Sequence, residues 1–493
     1  MARVLALPVP RVVVPRATGK YLLVILLLVV VGFLTAYPTF LIFMKSFQIT
    51  RPGEATVWGL KGWEAAFTDP GIKKALITTF ALSAVRMTLE TGLAIFFAWV
   101  ITRTDTPFKG GIEFMLWMGY FLPALPMVLG WVLLLDPHYG LINKFLMANL
   151  HLPHAPFSIY SYGGIIWAHL AFSTAIRFLL ITPAFRAMDA ALEEAARTSG
   201  CSNFKTLLRI TIPVLMPTLF AVTALGFIKH LESFEVELIL GFPVGIRVYS
   251  TKIWEFLHWE PPRYPEATAM SSLFLVVIFA MILLQRRMLS GRRFTTISGK
   301  GYSVRPTSLG RWRWVTFGVC MLFITVLIIL PLALLILGTF MKLYGFFNIP
   351  HPWTTRHWTE AFDDPVFMRS FKNTLMIGAV AAGASALIYA LISYVLIRVQ
   401  FVGKGLLDLF LWLPWALPGI LMSLALLWLF LGSRISIPLI GTLSFIPIYG
   451  TIWLIIIALI INEAPVATRI LSGSIMQIST ELEESARVSG ASW

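Results

Sequence analysis

Charged residues are scarce in this sequence. Asp, Glu, Lys and Arg make up 13% of the 493 residues, whereas soluble globular proteins carry about 25%. Hydrophobic residues make up 58%, and the mean hydropathy is +0.81. This composition excludes a soluble enzyme and a disordered polypeptide, and it indicates a helical protein that crosses a membrane several times.

Cysteine is nearly absent, and several catalytic motifs are absent altogether. The two cysteines, Cys201 and Cys320, are too few for a disulfide framework or a structural zinc site. Gly299-Lys300-Gly301 lacks the Ser or Thr that ends a nucleotide-binding phosphate loop, and no His-Glu-x-x-His or Cys-x-x-Cys pattern occurs. We therefore predict no catalytic residue, no cofactor and no resident metal in this chain.

Acidic residues are fewer than basic ones. The sequence has 24 Asp and Glu against 39 Lys and Arg, which gives a net charge of +15. Such a surplus can indicate nucleic-acid binding, but in so apolar a chain basic loops on the cytoplasmic side of a membrane explain it better. We predict no nucleic-acid partner, and a basic linker that can contact anionic membrane lipid.

Ten apolar stretches are long enough to cross a bilayer as helices, which takes about 20 residues. The predicted spans are 21–44, 75–101, 113–135, 162–184, 210–229, 267–285, 314–338, 374–397, 406–431 and 448–472. The first is too long for the core of a cleaved signal peptide, so we predict that it stays in the protein.

The charges between the spans predict the orientation and the domains. Segment 286–313 carries eight basic and no acidic residues, which predicts a cytoplasmic linker, whereas segment 230–266 carries six acidic against three basic residues, which suits the outer side. We divide the chain into a cytoplasmic N-terminal segment 1–20, a first membrane domain 21–285, this linker, and a second membrane domain 314–493.

The second domain repeats the first. Trp63–Pro70 matches Trp358–Pro365 at an offset of 295 residues, and Glu193–Gly200 matches Glu483–Gly490 at an offset of 290. The order is kept and the orientation is not inverted, which predicts an all-α protein of two tandem parallel repeats with about six transmembrane helices each. The second repeat contains four predicted spans, so we expect the rest of a twelve-span protein to be missing.

A short loop motif occurs at equivalent positions of both repeats. Glu194-Ala195-Ala196 is followed after three residues by Gly200, and Glu484-Ser485-Ala486 is followed likewise by Gly490. We predict a short amphipathic cytoplasmic helix in which Gly200 adopts a positive φ and leads into a second short helix. The predicted apolar face is Leu192, Ala195, Ala196 and Ser199, and the polar face is Glu193, Glu194 and Arg197.

These two motifs resemble the EAA loop in the permease subunits of type I importers of the ATP-binding cassette (ABC) class. In that family the loop forms a coupling helix that docks in a cleft of the ATPase. The resemblance implies the type I permease fold in a bacterial inner membrane, with the N-terminus cytoplasmic. It also implies a separate ATPase dimer and a periplasmic substrate-binding protein as partners.

The same resemblance implies which residues contact the ATPase. They are Glu194, Ala195, Ala196 and Gly200 in the first repeat, and Glu484, Ser485, Ala486 and Gly490 in the second. Ser485 departs from the family, which has Ala there, and Ile212 stands before Pro213 where the family usually has Leu.

Further segments resemble the fused two-domain permeases of iron(III) importers. They include Arg103-Thr104-Asp105, Leu135-Asp136 and Leu231–Val236. This resemblance implies iron(III) as the transported substrate, while related permeases for polyamine, thiamine and phosphonate keep those substrates open as alternatives. A secondary transporter driven by an ion gradient is a more remote alternative, because the predicted spans contain no chain of carboxylates and Glu90 is the carboxylate nearest the middle of a span.

Polar residues in and after the spans are the remaining candidates. Arg86 and Glu90 are four residues apart in the second span, which predicts a buried structural pair; a polar patch on the translocation path is the alternative. We expect Arg177 to extend to the membrane interface and His169 to be a satisfied interior histidine. The acidic residues Glu232, Glu235 and Glu237 predict a solvated outer loop that docks the binding protein, with reception of a metal cation as the alternative.

Overall fold

The computed structural model describes residues 16–49, 57–290, 306–417, 419–432, 434–437 and 441–490. Most of the predicted N-terminal segment lies outside these residues. So do residues 291–305 of the basic linker, including Gly299-Lys300-Gly301.

Helices dominate the described residues, as the composition predicts. The first repeat contains α1 (Arg16–Val31), α2 (Tyr37–Lys45), α3 (Lys61–Thr68), α4 (Pro70–Arg103), α5 (Lys109–Phe121), α6 (Ala124–Leu135), α7 (Leu141–Leu150), α8 (Tyr162–Ala187), α9 (Ala191–Thr198), α10 (Asn203–Thr206), α11 (Ile212–Leu231), α12 (Tyr249–Leu257) and α13 (Tyr264–Ser290). The second contains α14 (Trp312–Ile324), α15 (Leu330–Gly338), α16 (Arg356–Asp363), α17 (Pro365–Arg398), α18 (Lys404–Trp412), α19 (Gly419–Gly432), α20 (Ile452–Gln477) and α21 (Thr480–Val488).

Within the described residues, one short hairpin departs from the all-α prediction. Strands β1 (Arg434–Ile437) and β2 (Gly441–Ser444) pair antiparallel, with Arg434 opposite Ser444. The Arg-Ile-Ser-Ile alternation of β1 has the two-residue period of a strand, and the hairpin belongs to a connection between helices rather than to a span.

Eight helices in the described residues are long and apolar enough to cross a membrane, and they coincide with eight of the ten predicted spans. The other two predicted spans, 113–135 and 406–431, are not straight helices. The axes of α5 and α6 meet at 102°, and the corresponding break before α19 is 113°. Leu122 is extended at the first break because the next residue is Pro123, and a residue before proline disfavours the α conformation.

The two longest pairs of equivalent helices have equal lengths in the two repeats, which agrees with the predicted parallel duplication. Helices α4 and α17 each have 34 residues, and α8 and α20 each have 26. An Asp-Pro pair begins both 34-residue helices. Asp69 Oδ1 accepts hydrogen bonds from the backbone N of Gly71 at 2.6 Å and of Ile72 at 3.3 Å, and Asp364 Oδ1 accepts one from Val366 N at 2.8 Å.

The described chain forms two compact units whose boundaries cut across the repeats. One unit contains the residues up to Lys45 together with those from Arg369 onward, and the other is Ser46–Met368. The first span of each repeat therefore belongs to the unit built mainly from the other repeat.

The first span of each repeat, called here an exchanged span, is held within its unit by close helix contacts. In one unit α1 packs against α18 and α2 against α19, and the Gly32 backbone lies against the Phe410 ring. In the other, α15 packs against α6, and a Cβ added to Gly130 would lie 2.2 Å from the Pro331 carbonyl oxygen. Small residues permit such close approach between membrane helices.

Candidate functional site

The first loop helix, α9, forms where the motif predicts it. Gly200 follows it with φ +86°, the left-handed conformation that glycine adopts without strain. The chain then enters α10, which continues through a π-helical turn, Leu207–Thr211, into α11. Residues Asn203–Leu231 thus form one long helix, and the predicted second short helix is the first turn of that span.

The predicted polar face of α9 is wrong at Glu193. This carboxylate is buried; its Oε2 lies 3.3 Å from Arg103 Nε, and its Oε1 accepts a hydrogen bond from Thr211 Oγ1 at 2.6 Å. Leu192 is 48% exposed instead, and Glu194 and Ala195 are exposed beside it. The helix therefore presents an apolar residue to the exterior because its Glu193 finds polar partners within the unit.

The second loop helix, α21, repeats this arrangement. Glu484, Ser485 and Ala486 are all exposed, and Leu482 is 66% exposed. Gly490 follows with φ +94°. In each unit, therefore, the motif lies on a short helix with an uncovered leucine, and a positive-φ glycine ends that helix.

A buried cluster of charged residues lies between α4, α8 and α11. Arg86 and Glu90 are both buried, as predicted, but they do not pair with each other. Arg86 Nη1 instead donates to Glu237 Oε1 at 2.7 Å, and Arg86 Nη2 donates to the His230 carbonyl oxygen at 3.4 Å. Arg86 therefore pairs with a residue outside α4 and not with Glu90 on the same helix.

Arg177 completes the cluster and corrects a second prediction. It is buried rather than extended to an interface, and its Nη1 donates to Glu90 Oε2. His230 Nε2 lies 2.6 Å from Glu90 Oε2 and 2.9 Å from Arg177 Nη2. The positive charges of two arginines therefore balance the negative charges of two glutamates inside the unit. Buried charges are tolerated in proteins when they are paired in this way.

His169 is a satisfied interior histidine, in agreement with the sequence reading. Its Nε2 lies 3.2 Å from Glu237 Oε1 and 3.3 Å from Ser233 Oγ. Ser233 Oγ also donates to Glu237 Oε2 at 2.7 Å.

The three acidic residues after α11 do not form one solvated surface. Glu235 is exposed, but Glu237 is buried in the charged cluster and Glu232 is largely buried beside Lys229, whose Nζ donates to Glu232 Oε2 at 3.1 Å. Burial raises the pKa of Glu232 to about 7, although Lys229 acts in the opposite direction. Burial would raise the pKa of Glu237 too, but His169 and Arg86 hold that pKa well below its usual range.

No metal cluster accompanies these acids. Across the described ranges, no group of three His, Cys, Asp or Glu side chains is arranged to hold a metal ion.

Two arginines that end the long helices were not among the predicted site residues. Arg103 and Arg398 are separated by the same 295 residues as the matched tryptophans, which is the signal that could have drawn attention to them. Both contact the loop helices.

The end of the basic linker contacts Asp105, and this contact was not predicted either. Asp105 Oδ1 accepts a hydrogen bond from Leu309 N at 2.8 Å, and this N–H lowers the pKa of Asp105.

The chain is similar to curated transport permeases. It is 24% identical over 492 residues to a ferric transport system permease protein of Haemophilus influenzae, covering 96% of this chain and 72% of that protein. A ferric transport system permease of Actinobacillus pleuropneumoniae is 24% identical, covering 66% of this chain and 46% of the relative. An ABC transporter permease of Sinorhizobium fredii is 25% identical, covering 67% and 57%. The chain thus spans from about half to about three quarters of these relatives.

Structural comparison gives weaker similarity. The chain aligns with a crystal structure of a bacterial alginate ABC transporter in complex with its periplasmic protein, at 21% identity and a TM-score of 0.48, over 58% of this chain and 98% of that one. The sequence matches no protein-family model. Over 96% of its length the chain is thus similar to a transport permease, over 67% it is similar to an ABC transporter permease, and its eight long apolar helices agree with that similarity.

Proposed function

We propose that the chain is the permease subunit of an ATP-driven importer in a bacterial inner membrane and that it carries iron(III). A periplasmic binding protein delivers the substrate, and a separate ATPase dimer supplies the energy. In this proposal α9 and α21 are the two ATPase-docking helices, the N-terminus and the basic linker are cytoplasmic, and segment 230–266 faces the periplasm.

The uncovered apolar residues of α9 and α21 carry the proposal. Each short polar loop helix exposes one leucine, which is Leu192 at 48% in α9 and Leu482 at 66% in α21. Such a residue suits a protein partner, because apolar side chains at the centre of an interface supply much of its binding energy. The exposed carboxylates of Glu194 and Glu484 suit a basic rim on that partner.

The buried carboxylates do not favour an ion-gradient mechanism. Glu90 is ion-paired with Arg177, and Glu237 with Arg86. Each of these buried carboxylates therefore has an arginine as its counterion, which is the arrangement of a structural ion pair inside a membrane protein. These contacts support a structural role for Arg86 and Glu90 rather than a place on the translocation path.

Iron(III) is proposed from the names of two similar permeases, both of which are ferric transport proteins. The binding protein would select the metal, and the permease would form the passage. Polyamine, thiamine and phosphonate are the competing substrates that the experiment must include.

Reconstitution of the permease with its ATPase and binding protein in lipid vesicles tests the proposal. We expect ATP hydrolysis and uptake to rise with the iron(III)-loaded binding protein and not with polyamine, thiamine or phosphonate. Stimulation by one of those alternatives would replace the substrate, and the absence of any ATPase association would overturn the proposed function.

Cysteine cross-linking tests the docking helices directly. Cysteine at Leu192 or Leu482 should cross-link to the ATPase, whereas cysteine at Leu150, which is 61% exposed at the end of α7, should not. The substitutions Glu194→Lys and Gly200→Pro should abolish uptake while the protein still inserts. The lysine reverses the charge at the interface, and proline cannot adopt the positive φ of Gly200.

A further inference from the structure

Arg103 joins three elements at the end of α4. Its side chain is buried, and its Nη2 donates to the carbonyl oxygens of Phe185 at 2.8 Å and Met188 at 2.9 Å, where α8 ends. Its Nε lies 3.3 Å from Glu193 Oε2 in α9. The last carbonyls of a helix have no partner within that helix, so Arg103 satisfies the end of α8 and holds α9 beside it.

Arg398 makes the same contacts in the other unit. It ends α17, and its Nη2 donates to the carbonyl oxygens of Ile475 at 3.2 Å and Ile478 at 2.6 Å, where α20 ends. Its Nε donates to Glu483 Oε1 in α21 at 2.7 Å. All four contact positions follow the repeat, since the two arginines are 295 residues apart and their partners are 290 apart.

The guanidinium group is suited to this task. It presents five N–H donors in a fixed plane, and it can bind two carbonyl oxygens and a carboxylate at once. A lysine ammonium keeps the charge but lacks the planar arrangement of donors. The two sites differ in their surroundings: Glu193 is buried, whereas the Glu483 side chain is 26% exposed. The same contacts nevertheless form in both units.

We infer that Arg103 and Arg398 are positioning residues that fix each docking helix to the ends of two spans, so that displacement of the docking helix moves those spans. This inference rests on the proposed function, because it assigns to the arginines the transmission of ATPase motion. It adds Arg103, Arg398, Glu193 and Glu483 to the coupling machinery, although none of these four residues need touch the ATPase.

The substitutions Arg103→Gln and Arg398→Gln, each in the complete complex in lipid nanodiscs, test the inference by hydrogen exchange. Arg103→Gln should speed amide exchange in residues 191–198 about tenfold and leave residues 480–488 unchanged; Arg398→Gln should do the reverse. The factor is that expected for loss of one hydrogen bond to a charged group. Arg186→Gln is the matched control, because Arg186 forms an exposed pair with Glu113 near the same end of α8.

Coupling is measured on the same variants in vesicles. Each Gln variant should keep ATP hydrolysis, and the amount of substrate taken up per ATP should fall about tenfold. Arg103→Lys should give an intermediate ratio, and Arg186→Gln should match the wild type. Glu193→Gln, which leaves the carbonyl contacts in place, should lower the same ratio and replaces Arg103→Gln if that variant does not fold.

The outcomes separate this inference from the proposed function. If the wild-type complex couples ATP to uptake and both Gln variants couple equally well, the arginines are not positioning residues. If local exchange does not rise in the helix that each arginine contacts, the inference is also overturned. A wild-type complex without ATP-dependent uptake contradicts the proposed function itself.

Discussion

Two glutamates only two positions apart, Glu235 and Glu237, have opposite surroundings. Glu235 is exposed, and Glu237 is buried against Arg86. Glu237→Gln should lower the free energy of unfolding by roughly 3 kcal/mol, because Arg86 would then be a buried charge without its counterion. Glu235→Gln should change it by less than about 0.5 kcal/mol.

Thermal unfolding of the two variants in the same detergent checks this difference. Equal stabilities of the two variants would contradict the role of Glu237 as the counterion of Arg86.

Glu232 should make the stability of the protein depend on pH. Its folded-state pKa is raised to about 7 by burial, so its contribution to stability is complete below the pKa of the unfolded chain and is lost as the pH rises through 7. The wild type should therefore lose melting temperature between pH 5 and pH 8. Glu232→Gln should lose less over the same range, and parallel curves for the two proteins would contradict the assignment.

At the scale of elements, the contact between α6 and α15 depends on Gly130. A Cβ there would lie 2.2 Å from the Pro331 carbonyl oxygen, so Gly130→Ala should force the helices apart and lower the melting temperature. Gly92→Ala in α4 is the matched control, since a Cβ there meets nothing within 4 Å. It should raise the stability by about 0.5–1 kcal/mol through helix propensity alone. Destabilisation by both substitutions to the same extent would refute the contact argument.

The elements were predictable where the signal is local. Hydropathy identifies the spans, and the Asp69-Pro70 pair identifies the start of α4, because a helix cap depends on residues within one turn. The bend at Pro123 was missed because hydropathy reports how apolar a stretch is and not its direction. The partners of Arg86 and Glu193 were missed because Glu237 and Arg103 lie far away along the chain, and only the packing of helices brings each pair together.

At the scale of the whole molecule, each unit takes a span from the other repeat. A chain cut between Ser290 and Pro306 should therefore yield two fragments that copurify from detergent, because α1 and α2 pack within the unit that contains α18 and α19. Replacing residues 21–45 by an unrelated apolar helix of equal length should weaken that association. Separate elution of the unmodified fragments would contradict the exchange of spans.

The exchange of spans also means that α1 and α2 are synthesised long before the helices that they pack against. The ribosome completes α2 at Lys45 and reaches the next residue of the same unit only at Arg369, in α17. At a synthesis rate of about 5–20 residues per second, roughly 15–65 s pass between them. During that interval the first helix of the nascent chain has no native neighbour from its own unit, so the lipid, or a chaperone of the insertion machinery, must shelter it until the second repeat arrives.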